Sequence, residues 1–370
     1  MEVVKVLHIL QSMNRGGIEN FLMNIYRHID RERVQFDFLI TEPNHCAFED
    51  EILSLGGKIY RMPRLSIKSP LRYIKATDKF FKEHPEYRIC HSHYNAVSTI
   101  PLWIAKRNNI PHRIAHSHTC LSGSGVKHIA KNILKLPIKR VANRLFACSK
   151  EAGVWLYGKN AMADGTVKIM QNSIDGNRFN FNPSIRACIR QKLNIPDDTF
   201  VLGHIGNFRY PKNHRFAIEV LSHIIKMIPD SLFLFAGDGP LKTEIENYAK
   251  ESGVYEHCHF LGSVANIYDY VQAMDIFCFP SHYEGLGMVV IEAQTAGLKC
   301  FVSTGVPQEC KLTDLVEFLP LSAGAEKWAE AIAENRCYER RGRLDEIRAA
   351  GYDAALSAKN LENFYVNLLK

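Results

Sequence analysis

Two doubly wound parallel α/β sheets, one in each half of the chain, are what this sequence predicts, and three observations predict them. Short apolar runs alternate with longer polar or amphipathic stretches along the whole length, the pattern of βα repeats. The alternation pauses at a polar stretch, residues 172–178, and then starts again. The 370 residues exceed what one hydrophobic core usually supports, so two domains of ordinary size follow. With 46% hydrophobic and 23% charged residues and no low-complexity tract, each half can bury a core.

The first half opens on a strand, residues 3–10, with no cleavage site before it. No apolar run is long enough for a bilayer span, so the expected location is cytoplasmic. Gly16 and Gly17 follow, ahead of a helix beginning near Ile18. They allow a phosphate or sugar close to the backbone, or they simply make a tight strand-to-helix turn. Further strands are expected at 36–40, 89–92, 113–115, 145–147 and 167–170. His116 and His118 come just after residues 113–115, on one face and at the sheet edge. A neutral imidazole there can bond a sugar hydroxyl or meet charge as it develops. His91 and His93 repeat the spacing one strand earlier and read as cleft-lining or structural.

Residues 1–174 hold 26 Lys+Arg against 14 Asp+Glu, a net of +12 that leaves −5 for the rest. Lys127, Lys131, Lys135, Lys139 and Arg140 are interleaved with apolar residues, and Pro137 would kink a helix there. Such a helix either lies on an anionic membrane surface or turns an ordinary apolar stripe to the core. No aromatic stacking platform accompanies the lysines, which argues against nucleic acid. Ten cysteines without a C-x-x-C pair read as reduced, largely core residues. No spacing suggests a metal site.

The second half repeats the scheme with strands at 201–205, 232–236, 259–261, 276–279 and 300–303, and the chain closes on a helix, residues 352–369. Its most informative stretch is the loop after residues 276–279. Glu284 and Glu292 stand eight positions apart around Gly285, Leu286 and Gly287, and a helix begins at Met288. Free N–H groups and the positive dipole end collect at Gly287, Met288 and Val289, where a diphosphate fits. Glu292, about one turn deeper, can accept two hydroxyl hydrogen bonds as on a ribose, while Glu284 faces what lies beyond the diphosphate.

These residues carry a family resemblance. Pro280-Ser281-x-x-Glu284-Gly285, followed by Glu292-Ala293-x-x-x-Gly297, resembles the donor-binding signature of retaining glycosyltransferases of family 4, above all bacterial capsule and exopolysaccharide enzymes. Further landmarks stand in the family's order: Gly16-Gly17-Ile18-Glu19, His116-Ser117-His118, Gly206 with Lys212-Asn213, Gly237-Asp238-Gly239-Pro240 and Phe260-Leu261-Gly262. The resemblance spans nearly the whole chain and implies the GT-B fold, two Rossmann-like domains facing a cleft. It places an acceptor-side domain at 1–173, a donor-side domain at 174–352 and a terminal helix, 353–370, crossing back to the first domain.

It also assigns roles. Lys212 matches one of the family's two diphosphate cations. Asn207 stands where the other, an arginine, is usual, with Arg209 two residues on as a substitute. His118, with His116 second, matches a histidine that approaches the sugar, and His93 lines the cleft. His118, Glu284 and Lys212 are thus the expected catalytic set. The implied reaction moves a sugar from a nucleotide diphosphate donor, UDP for preference, to a glycan or lipid-linked hydroxyl with retention. The leaving phosphate takes the acceptor proton, and no metal or cofactor is used; the chain has no Asp-x-Asp. Such an enzyme would work in the cytoplasm, peripheral to the inner membrane face. A non-catalytic GT-B subunit of an assembly complex is the alternative. A Rossmann dehydrogenase lacks its Gly-x-Gly-x-x-Gly here, and a phosphorylase or epimerase would share the architecture.

Overall fold

A computed structural model describes residues 3–66, 69–118 and 131–370 of the chain. They form two compact units, Met1–Ile174 with Gly351–Lys370, and Asp175–Ala350. The first contains β1 (Val4–Ile9), β2 (Val34–Ile40), β3 (Ile59–Arg61), β4 (Ile89–Ser92), β5 (His112–Ser117), β6 (Arg144–Ala147) and β7 (Val167–Ile169). These make one parallel sheet in the order β3-β2-β1-β4-β5-β6-β7. The second contains β8 (Phe200–Ile205), β9 (Ser231–Ala236), β10 (Cys258–Gly262), β11 (Ile276–Phe279), β12 (Lys299–Ser303) and β13 (Val316–Leu319). Its parallel order is β10-β9-β8-β11-β12-β13.

The chain reverses direction across each sheet at one place, between β1 and β4 and between β8 and β11. Such switch points open a crevice beyond the carboxyl ends of the strands, where ligands of α/β sheets bind. The strands expected from sequence are all present. β3 and β13 are additional, and both are short sheet edges without a continuous buried run.

One face of the first sheet is built from Val6, Phe36, Phe38, Ile89, Ile114 and Phe146, covered by the helix Gly17–His28 and by the final helix Ala354–Leu368. The final helix supplies Ala358, Leu361, Tyr365 and Val366 to that core. Buried Glu362 anchors it, accepting from Asp30 N at 3.2 Å and pairing with Arg33 and, at 3.0 Å, Lys359. The other face packs Leu7, Ile9, Cys90, Leu102 and Leu145. The second unit's core centres on Phe233, Phe235, Ile218, Leu221 and Trp328.

The basic stretch is not one kinked helix. Lys127 lies outside the described residues. A turn at 135–137 precedes a separate short helix, Ile138–Val141, because Pro137 has no N–H to continue the preceding ladder. Ile138 and Val141 are buried, whereas Ile133 and Leu136 are 61% and 72% exposed. Lys135 is tied down, donating to Trp155 O at 3.0 Å. Among the described residues no helix is long and apolar enough to cross a membrane. Six of the nine described cysteines are buried and none is in a disulfide; Cys188 and Cys337 are exposed.

Candidate active site

The second unit's switch point gathers Lys212, Glu284, Glu292 and the glycine loop singled out by sequence. β8 ends at Ile205, and Gly206–Asn213 forms the loop beyond it; β11 ends at Phe279, and residues 280–287 form the neighbouring loop. The loops are locked together: His282 N donates to Pro211 O at 2.7 Å, and the Tyr210 ring stacks on the His282 ring at 4.6 Å. The turn after β9 closes on them from the side. Gly237, at φ +146°, passes so near that a Cβ there would lie 2.0 Å from Gly206 O.

Lys212 is the centre of this arrangement. Its Nζ is 2.7 Å from Glu284 Oε1 and 4.8 Å above the Phe279 ring, and its stem passes over Gly206. Ser281 Oγ donates to the same Glu284 oxygen at 2.9 Å. Both partners of the ion pair are largely shielded, so their attraction is less screened than at an open surface. The sequence put Lys212 and Glu284 in one site. It gave no sign that each would hold the other, or that Ser281 would fix the carboxylate.

The helix Met288–Thr295 starts at Gly287, whose φ of +85° is left-handed and favours glycine. No side chain caps this start, so the first-turn N–H groups have no side-chain acceptor and carry the positive end of the helix dipole. Gly285 is exposed, and Leu286, Met288 and Val289 are half-buried. Glu292 follows one turn in, half-buried. Loss of water around its carboxyl pushes its pKa up to about 8, while the Lys212 charge works in the opposite direction. Asn207 and Arg209 are both exposed on the β8 loop.

Gly16 and Gly17 stand in the first unit, at the start of the helix Gly17–His28. Glu19, three residues into that helix, folds back over Gly16, and Ser12 Oγ donates to it at 3.4 Å. Burial pushes the Glu19 carboxyl up.

The histidines differ from expectation. β5 runs on through Ser117, so His116 is a strand residue with no exposed surface, and His93 is 2% exposed. Neither lies at an open sheet edge; parallel sheets are covered on both faces, and alternation reports the face but not its covering. His118 is half-buried, its N–H bonded to Asn95 Oδ1 at 2.7 Å. His8 in β1, which sequence reading passed over, joins them. His8 Nδ1 is 3.0 Å from His93 Nε2, and His93 Nδ1 is 2.8 Å from His118 Nε2. His91 Nδ1 is 2.6 Å from the Tyr365 hydroxyl. Burial holds all five neutral: it lowers His8 and His118 to about 3 and drives His91, His93 and His116 well down, with neighbouring imidazoles adding to the effect. Its only sequence signal was the repeated His-x-His at the ends of two strands.

Residues 186–333 match the family model described as glycosyl transferases group 1. Over 98% of this chain and 96% of the relative, the sequence is 33% identical to the putative glycosyltransferase EpsF of Bacillus subtilis. It is 22% identical, over 81% and 79%, to a UDP-Gal:alpha-D-GlcNAc-diphosphoundecaprenol alpha-1,3-galactosyltransferase of Escherichia coli. Among solved structures, Anabaena HepE in complex with UDP and glucose superposes with a TM-score of 0.70 at 18% identity, over 99% of this chain and 98% of that one.

Proposed function

Because the chain belongs to the group 1 glycosyltransferases, with the paired α/β sheets of the GT-B fold, we propose that it moves a hexosyl or N-acetylhexosaminyl unit from a UDP-sugar, with retention, to a glycan or lipid-linked hydroxyl in surface polysaccharide assembly. The observation that carries the reading is the Lys212–Glu284 pair beside an uncapped helix start, with Glu292 one turn deeper. Placement in the retaining family 4 belongs to the proposal and is supported by the spacing of these two glutamates. The UDP donor is supported by the ligand named for HepE and by the donor named for the E. coli relative.

The donor diphosphate would sit at Gly287, Met288 and Val289, near Gly285 and Leu286, and draw Lys212 away from Glu284 by its greater negative charge. Glu284, still bonded to Ser281, then accepts from a sugar hydroxyl, and Glu292 accepts from the ribose. As the bond to the anomeric carbon breaks, charge grows on the leaving phosphate. Lys212 and the helix start stabilise it, with Arg209 covering for Asn207. The same phosphate takes the acceptor proton, and in this proposal Lys212 and the helix start supply the counter-charge that a divalent metal would otherwise bring to the diphosphate. The first unit, residues 1–173 with the helix 353–370, would handle the acceptor; Gly16 and Gly17 are proposed donor contacts and His118 a catalytic group, with His116 and His93 buried behind it. The second unit, 174–352, would hold the donor.

Asn207 favours one other reading, a non-catalytic subunit, since it removes a cation from the donor loop. Thermal shift against a panel of nucleotide diphosphates and their sugars, with and without Mg²⁺, decides between them. Selective, metal-independent stabilisation by UDP or a UDP-sugar, lost in Glu292→Ala, is expected; no shift with any nucleotide favours the non-catalytic subunit.

Peripheral membrane attachment on the cytoplasmic face is also proposed. It is supported by exposed Trp103, Ile133 and Leu136 together with Lys131, Lys135, Lys139 and Arg140, and by the Lys106–Arg140 bond that ties the helix Thr99–Arg107 to this segment.

A further inference from the structure

The face of the first sheet that elsewhere presents Val6, Phe36, Ile89 and Phe146 carries five imidazoles at the carboxyl ends of β1, β4 and β5. Parallel pairing sets His8 directly opposite His91. Aromatic rings wall them in: Phe36 lies 4.1 Å and Phe38 5.7 Å from His8, and Phe146 5.6 Å from His91, centroid to centroid. Imidazole is a poor choice for plain packing at such positions, because each neutral ring brings one donor and one acceptor. His8 Nε2, His91 Nε2, His118 Nδ1 and both nitrogens of His116 are buried without a hydrogen-bond partner. So many orphaned polar atoms in one place ask for an ion or ordered water.

We propose that His8, His91 and His93 bind a divalent transition metal of the zinc class inside the first unit. One ring nitrogen from each of the three lies within 4.8 Å of the others. A tetrahedral metal with bonds of about 2.0–2.1 Å sets its ligand nitrogens about 3.3 Å apart. His8 Nδ1 and His93 Nε2, at 3.0 Å, are already close to one edge of that tetrahedron. His91 offers its unpartnered Nε2. Two of the three outward nitrogens are already engaged, His91 Nδ1 with the Tyr365 hydroxyl and His93 Nδ1 with His118 Nε2, while His8 Nε2 has no partner. That is the outer-shell arrangement of metal-ligating histidines, which donate their second N–H to a polar partner and so fix the tautomer. Three protein ligands leave the fourth position to water. The donor set of three imidazoles without thiolate or carboxylate suits zinc, cobalt or copper and disfavours magnesium and calcium. The inference concerns the first unit alone and does not depend on the donor chemistry proposed for the second.

The test uses the full chain, stripped with chelator and loaded with Co²⁺. One metal per chain by elemental analysis, a visible ligand-field band that Zn²⁺ bleaches, and a higher Tm after Zn²⁺ loading are expected. His8→Gln and His91→Gln are expected to lose the band, while His45→Gln, an exposed surface control, keeps it. If one variant fails to fold, the other decides, since His8 and His91 belong to this triad and not to His93, His116 and His118. Wild-type protein that takes up no cobalt, or folded His8→Gln or His91→Gln that keeps the band, overturns the proposal and leaves the imidazoles as packing around water.

Discussion

Glu292 is pushed up to about 8 by burial, so in the unliganded protein at neutral pH its carboxyl is mostly protonated. Its ordinary value is 4.5, and the folded chain therefore binds an extra proton across the window from 4.5 to about 8. The stability linked to this group is complete below 4.5 and is lost as pH rises through 8. Glu292→Gln cannot ionise. Its stability relative to wild type should rise steadily across that window, which chemical denaturation at several pH values would read; parallel curves would dismiss the shift. The two glutamates were legible in sequence because their spacing places one in a loop and one a turn inside the helix. The contacts of Glu284 with Lys212 and Ser281 were not, since they need the β8 and β11 loops side by side. The burial of His116 and His93 was not legible for a related reason, because alternation along a strand says nothing about what covers the sheet.

Three loops from three strands build the candidate site, and their fit depends on backbone passing backbone. Gly237→Ala would put a methyl group 2.0 Å from Gly206 O at a φ of +146°. A cost of about 1–3 kcal/mol is expected, together with a weaker nucleotide-dependent shift, because Gly206 carries the stem of Lys212. Thermal melts with and without UDP test this; wild-type behaviour in both would mean the turn can retreat at no cost. Continuously buried apolar strands such as β11 were readable from sequence, whereas the edge strands β3 and β13, which lack a continuous buried run, were not. The basic segment was misread as one helix because charge and apolar spacing continue through Pro137 while the hydrogen-bond ladder does not. Its exposed apolar residues still suit a lipid surface. Retention of the protein on anionic liposomes at low salt should fall when Lys131, Lys139 and Arg140 are neutralised, and unchanged retention would refute membrane attachment.

The first unit is assembled from both ends of the chain. Ile174 and Asp353 bridge, with Ile174 N donating to Tyr352 O and Ala354 N to Ile174 O, so the path out to the second unit and the path back run side by side. Removing residues 354–370 would strip Leu361, Tyr365 and Val366 from the first core and leave the second core intact. Limited proteolysis of that truncation should digest the first unit and spare a fragment near 175–350; equal resistance of both units would contradict the division. The doubling of the α/β scheme was plain from the restart of strands after residue 174, but the helix that completes the first core has no local feature naming its partner.

The return path has a consequence for biosynthesis. The sheet face that the helix Gly17–His28 covers in part is made early, yet the final helix that completes its cover leaves the ribosome only after the whole second unit. At about 5–20 residues per second that delay is about 10–40 s. Through that interval a nascent chain carries its first sheet with an open flank, so the half translated first is the half whose core is completed last.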